Sequence, residues 1–128
     1  MVQPMGDFPD DVARRSDLDR RFTIKCKGRV IFLSLDEIDW VEAAANYIKL
    51  SVSGQSYRMR EAISRLAERL DSRQFVRIHR STIVNVQRIK ALEPVNGGEY
   101  IVILRDGKEL SCSRGYRAGL KQFIGRTL

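Results

Sequence analysis

The only histidine of the chain, His79, lies in the block FVRIHRSTIVN at 75–85, where Arg77, Arg80 and Ser81 crowd around it. Residues of these types can do two kinds of chemistry. A nucleophilic enzyme would need Ser81 activated by His79, but neighbours in one strand point to opposite or divergent sides, which argues against the pair. A rigid cluster of hydrogen-bond donors suits instead an anionic partner that repeats phosphates and base edges. Neither common glycine-rich phosphate loop is present, and no pair of carboxylates stands out from ordinary surface charge. The chain therefore reads as a binding protein and not as an enzyme.

Metal and redox chemistry are poorly served. Cys26 and Cys112 lie far apart in no ligand spacing, and with one histidine a zinc site has too few soft ligands. Each cysteine sits in a strand-like run and is expected as a small buried hydrophobe. No cofactor and no metal are expected.

The elements that must aim the 75–85 block are short strands. Phe22, Ile24 and Cys26 alternate with polar residues, Lys27-Gly28 supplies a turn, and Val30 to Leu33 resumes the apolar run, which predicts a hairpin. WVEAAA, within 39–45, has helix propensity and also fits a strand. The period-two alternations of Ile38/Trp40 and Ile48/Leu50/Val52 favour a strand entering a short loop at Ala45-Asn46. Tyr57 to Arg60 continues the sheet beyond Ser53-Gly54. Ile63, Leu66, Ala67 and Leu70 then fall at i, i+3, i+4, i+7 and predict a helix over about 61–70, with Glu61 at its start and Arg69 at its end. Its stripe should pack on the sheet, leaving Arg65, Glu68 and Arg69 solvated.

Within the block itself, Phe75, Val76 and Ile78 are expected to bury on one side of a turn and Ile83 and Val84 on the other. Asn85 is expected to cap a turn, and Arg77 to make a structural salt bridge. Asn96-Gly97-Gly98 marks a flexible turn, and Asp106-Gly107 joins two further strands as a hairpin. Ser113 is expected to N-cap a short C-terminal helix with Tyr116, Leu120, Phe123 and Ile124 on its apolar face, ended by Gly125. Arg114, Arg117 and Lys121 share another face, and a basic first turn opposes the helix dipole unless an anion meets it. The result is a mainly β domain with one clear helix and a short C-terminal one. It is expected over 22–125, between a flexible tail or linker at 1–21 and a C-terminal tail at 126–128.

The whole chain has 128 residues, enough for one domain with a real core. Its 23 Lys and Arg against 16 Asp and Glu leave a net charge of +7, which draws polyanions at long range. No apolar run approaches the roughly 20 residues of a spanning helix, and the N-terminus has no signal-type apolar region. A soluble, cytoplasmic protein without a membrane partner is expected. Single-strand binders stack bases on exposed aromatics, whereas duplex readers reach into grooves with Arg, Asn and Lys. Phe22, Phe32, Phe75, Tyr100 and Phe123 each fall in an apolar pattern and are expected in the core. Tyr47 and Tyr57 are less committed. That shortage of free aromatics favours duplex reading.

RMREAISRLAERLDSRQFVRIHRSTIVNVQRIKALEP, with EAAANYIKL before it and DGKELSCSRGYRAGL after it, resembles the LytTR DNA-binding domain. This family is the output module of bacterial LytR/AlgR-type response regulators. The resemblance covers about 22–124. It rests on the NY strand, the F-x-R-I-H-R-S-x-I-V-N block and the L-x-x-S-R element after a D-G hairpin. It implies an elongated arrangement of small antiparallel sheets whose loops enter successive major grooves of duplex DNA. Carried over by position, it implies base contacts from Asn46 or Tyr47, Arg80 and Arg114, and phosphate contacts from Lys49, Ser81, Arg117 and His79. His79 stays open between a DNA contact and a buried histidine bonded to a backbone carbonyl.

The expected function is sequence-specific duplex DNA binding that regulates bacterial transcription within a two-component system. Repeated promoter sites filled by two copies, and an input domain or regulatory protein, are the expected partners. The alternatives are a protein-interaction module using its basic face and an RNA-binding β domain.

Overall fold

Apolar residues alternate along the central strands, and the pairing register turns that alternation into two buried faces. The computed structural model describes residues 21–26 and 28–127. Its strands are β1 (Arg21–Cys26), β2 (Arg29–Ser34), β3 (Trp40–Ala44), β4 (Tyr47–Val52), β5 (Gln55–Met59), β6 (Phe75–His79), β7 (Thr82–Asn85), β8 (Ile89–Val95), β9 (Glu99–Leu104) and β10 (Glu109–Cys112). The helices are α1 (Ile63–Arg69) and α2 (Arg117–Thr127). All pairing is antiparallel: a β1-β2 hairpin, a central sheet in the order β5-β4-β3-β7-β6, and a third sheet in the order β10-β9-β8. This is the expected mainly β fold of small antiparallel sheets.

On one face of the central sheet Val41 lies opposite both Leu50 and Ile83. This row packs with Ile24 and Leu33 of the hairpin and with Ile63, Leu66 and Leu70 of and after α1. On the other face Val84 lies opposite Trp40 and Val76, and with Ile78 meets Val102, Leu104 and Cys112 of the third sheet and Leu120 of α2. The central sheet is thus the middle of three layers. Helix α1 has seven residues, too few to hold in isolation. Burial of its stripe side chains, roughly 1.5–3 kcal/mol each, holds it to the sheet.

Several boundaries differ from expectation. Ala62 is extended and α1 starts at Ile63, so Glu61 lies outside the helix. Ser113 makes no side-chain cap bond, and a 3-10 turn over Arg114–Tyr116 precedes α2. Gly125 does not end α2, which runs on to Thr127 into the expected C-terminal tail. A glycine terminates a helix by turning left-handed, and Gly125 is not among the positive-φ glycines. Phe32 is 76% exposed rather than core. It sits opposite Thr23 on the outer face of the β1-β2 hairpin, with Val30 beside it on that side, and an outermost layer covers only its inner face. Phe75 is buried, while Tyr100 and Phe123 are half-buried against the second core. The side chains of Phe22 and Cys26, and the stretch expected as a tail except for Arg21, lie outside the described residues.

Cys112 is buried as expected, and burial first, then the nearby Glu99 charge, pushes its thiol above the ordinary range. Among the described residues no helix is long and apolar enough to cross a membrane, and no group of His, Cys, Asp and Glu side chains could hold a metal ion.

Candidate nucleic-acid interface

Three turns from separate parts of the chain meet at one end of the central sheet. The β3-β4 turn is Ala45-Asn46, the β6-β7 turn is Arg80-Ser81, and the third is the segment from Ser113 to Tyr116 that follows β10. Two backbone bonds tie them: the Ala43 N–H donates to the Ser81 carbonyl at 2.8 Å, and the Ser113 N–H donates to the Ile78 carbonyl at 2.9 Å. The Ser113 amide thereby extends the hydrogen bonding along the edge of β6.

The β6-β7 turn is built by its own residues. A register shift falls between Arg77 and His79, as in a β-bulge, which re-aims the side chains beyond it. Among the described residues Arg77 does not form the expected salt bridge. Its guanidinium donates to the carbonyls of His79, at 3.4 Å, and Arg80, and lies 5.9 Å from the centroid of the Tyr116 ring. A fork of five donors meets two carbonyls of one turn more readily than a distant carboxylate. Arg77 therefore braces the turn and links it to the third segment.

His79 and Ser81 do meet, contrary to the divergent placement expected of strand neighbours. Nδ1 of His79 is 3.0 Å from Ser81 Oγ and accepts the Ser81 backbone N–H at 3.2 Å. Ser81 belongs to the turn and not to the strand, so strand alternation does not govern it. Because Nδ1 accepts from an amide, the neutral ring carries its proton on Nε2. The Nδ1 lone pair is thus already engaged by the turn, and His79 is half-buried and, among the described residues, bonds no remote carbonyl.

Arg80 and Arg114 are exposed. Among the described residues neither has an ion-pair partner. Asn46 is exposed beside Ala45, whose φ of 27° puts a non-glycine residue in the left-handed region. Tyr47 is half-buried, with the Arg58 guanidinium 4.8 Å from its ring centroid. Arg117 is half-buried and donates through Nη1 to the Gly98 carbonyl at 3.4 Å. Asn85, as expected, caps a turn: its Oδ1 accepts the Gln87 N–H at 3.0 Å. It is fully buried, with Nδ2 donating to the Ile38 carbonyl at 2.9 Å.

Arg58 escaped the sequence reading. It lies directly opposite Lys49, a like-charge cross-strand pair that costs free energy unless something anionic meets it. Glu42 on the other side of Lys49 offsets part of that cost. The signal was present: a two-residue turn at Ser53-Gly54, with φ of 51° and 83°, sets Val52 opposite Gln55 and therefore Lys49 opposite Arg58.

Fold and site together define a small antiparallel β domain that presents cations and amide groups on turns at one end. The LytTr DNA-binding domain model matches residues 28–125, and the chain belongs to that family. Among curated relatives it is 24% identical over 117 residues to the sensory transduction protein LytT of Enterococcus faecalis, covering 91% of this chain and 48% of that one. It is 24% identical over 95 residues to LytT of Bacillus subtilis, covering 74% of this chain and 39% of that one. Against the transcriptional regulatory protein LytR of Staphylococcus aureus it is 24% identical over 110 residues, covering 86% and 45%. The chain spans less than half the length of each of these relatives. A solved LytTr DNA-binding domain from Bacillus cereus superposes with a TM-score of 0.76 at 22% identity, over 83% of this chain and 97% of that one, which establishes the shared fold.

Proposed function

We propose that this chain binds duplex DNA in a sequence-specific manner and regulates bacterial transcription. Membership of the LytTr DNA-binding domain family supports DNA binding, and the regulatory names of its relatives support transcriptional control. The observation that carries the finer reading is the joining of the three turns by the Ala43–Ser81 and Ser113–Ile78 bonds, with Arg80 and Arg114 exposed on two of them. Rigid turns suit groove reading because their side chains are positioned before the partner arrives.

In this reading Arg80 and Arg114 read base edges in successive major grooves, each offering a fork to guanine O6 and N7. Asn46 or Tyr47 supplies the third base contact. Lys49, His79, Ser81 and Arg117 meet phosphates, and Arg58 joins Lys49. Two copies filling repeated promoter sites, and an input domain or regulatory protein acting on the chain, complete the proposal.

Selection of bound sequences from a random duplex pool, followed by titration of single variants, tests it. Arg80→Ala and Arg114→Ala should each cost about 1–3 kcal/mol and relax preference at one base position, whereas Lys49→Ala should weaken all sequences alike. Affinity should fall by about 0.9 log units per log unit of salt for each neutralised phosphate. No enrichment by the folded protein would refute the proposal.

A further inference from the structure

The β8-β9 turn runs through Asn96, Gly97 and Gly98, and both glycines have positive φ, 86° and 83°. Backbone conformation alone thus asks for glycine twice. The two positions differ in what lies beside them. A Cβ on Gly97 would meet nothing within 4 Å. A Cβ on Gly98 would run into Nη1 of Arg117 and stand 3.3 Å from both Cγ and Cδ of Arg114. The Arg117 guanidinium meanwhile donates to the Gly98 carbonyl.

We infer that Gly98 is a positioning residue for DNA reading: its bare Cα forms the seat on which the stem of Arg114 rests, and its carbonyl anchors Arg117. This rests on the reading of Arg114 as a base contact. The physical argument concerns entropy. An exposed arginine has rotamer freedom to lose on binding. A stem already laid against a neighbouring turn has surrendered part of that freedom before DNA arrives. A methyl group at Gly98 would lift the stem by a few tenths of an ångström and displace the guanidinium of Arg117 from its carbonyl. Arg114 would keep its charge but lose its direction.

The matched variants Gly97→Ala and Gly98→Ala separate this from ordinary turn strain, because both force alanine into a left-handed conformation and only one reaches the arginines. Two readouts are needed. The first is the set of side-chain Nε–H and Cδ NMR signals of Arg114 and Arg117 in the free protein. The second is the base preference of the folded protein, by selection from a random duplex pool, with the position read by Arg114 mapped with Arg114→Ala.

Gly98→Ala should collapse both arginine signals toward solvent-exposed values. It should relax preference at the Arg114 position and weaken binding to the selected duplex about tenfold, the scale of one lost base contact. Gly97→Ala should lower Tm comparably and leave signals and preference at wild type. The inference is overturned if the two variants behave alike, or if Gly98→Ala leaves signals and preference intact. Should the wild-type protein select no sequence while Gly98→Ala still collapses the signals, the seat exists but the DNA-reading role is refuted. Should Gly98→Ala fail to fold, the free wild-type protein supplies the test: nuclear Overhauser contacts from the Gly98 Hα protons to the Cγ and Cδ protons of Arg114 are expected, and their absence overturns the inference.

Discussion

Removing the side chain of Asn85 should expose how much of this domain hangs on one buried amide. Asn85 is fully buried, and its side chain joins three segments. Nδ2 donates to the Ile38 carbonyl at 2.9 Å and more weakly to the Asp36 carbonyl at 3.4 Å, while Oδ1 accepts the Gln87 N–H at 3.0 Å. In Asn85→Ala the Ile38 carbonyl and the Gln87 N–H both lose their partner. A buried group left unpaired costs about 1–3 kcal/mol. Counting the deep carbonyl near 2 and the part-buried amide near 1 gives about 3 kcal/mol, a Tm fall of roughly 12 °C or more for a domain of this size. Asn85→Asp sharpens the test. It keeps an acceptor for Gln87 but sets a carboxylate against the Ile38 carbonyl at a fully buried position, so at neutral pH it should destabilise at least as much as alanine. Urea denaturation of the three proteins, with equal m-values, is the assay. A loss below about 0.5 kcal/mol in Asn85→Ala, or wild-type stability in Asn85→Asp, would refute the reasoning. At temperatures where both are folded, Asn85→Ala should bind selected DNA as the wild type does, because the residue touches only protein.

Three further predictions concern the same framework. Arg77→Lys keeps the charge but loses the fork that holds the His79 and Arg80 carbonyls, so DNA affinity should fall about fivefold, worth roughly 1 kcal/mol, with an unchanged salt slope; a changed slope would mean that Arg77 meets phosphate directly. Arg88 and Asp39 form an ion pair at 2.6 Å, and Asp39 also accepts the Ser53 N–H at 3.0 Å. A double-mutant cycle with Asp39→Asn and Arg88→Gln should return a coupling of about 1 kcal/mol, near the top of the range for accessible pairs because the Asp39 side chain is largely covered, and no higher because Arg88 is partly solvated. The Cys112 thiol, raised by burial and Glu99, ionises later in the folded than in the unfolded chain. Its contribution to stability is therefore fully present below the ordinary thiol pKa of about 8.5 and is lost as pH rises toward the folded value. In a Cys26→Ser background, Cys112 should resist a thiol reagent at pH 8 until denaturant is added, and prompt reaction in the native protein would contradict its burial.

What the chain could tell by itself is local. The alternation at Ile48, Leu50 and Val52, the helical stripe of Ile63, Leu66 and Leu70, and the turn pairs Ser53-Gly54 and Asp106-Gly107 follow from backbone sterics and side-chain period, which act over a few residues. With the net charge and the family motifs, they sufficed for a basic, mainly β domain of the right kind. Tertiary structure decided which apolar residues are covered, and so Phe32 is exposed while Phe75 is buried. It chose two carbonyls over a carboxylate for Arg77, brought Ser81 onto His79 through a bulged turn, and set Gly98 beneath Arg114. Asn85 shows the reason most plainly. Its donors find carbonyls 47 and 49 residues away, and such partners are selected by how the layers close on one another, which no local pattern encodes.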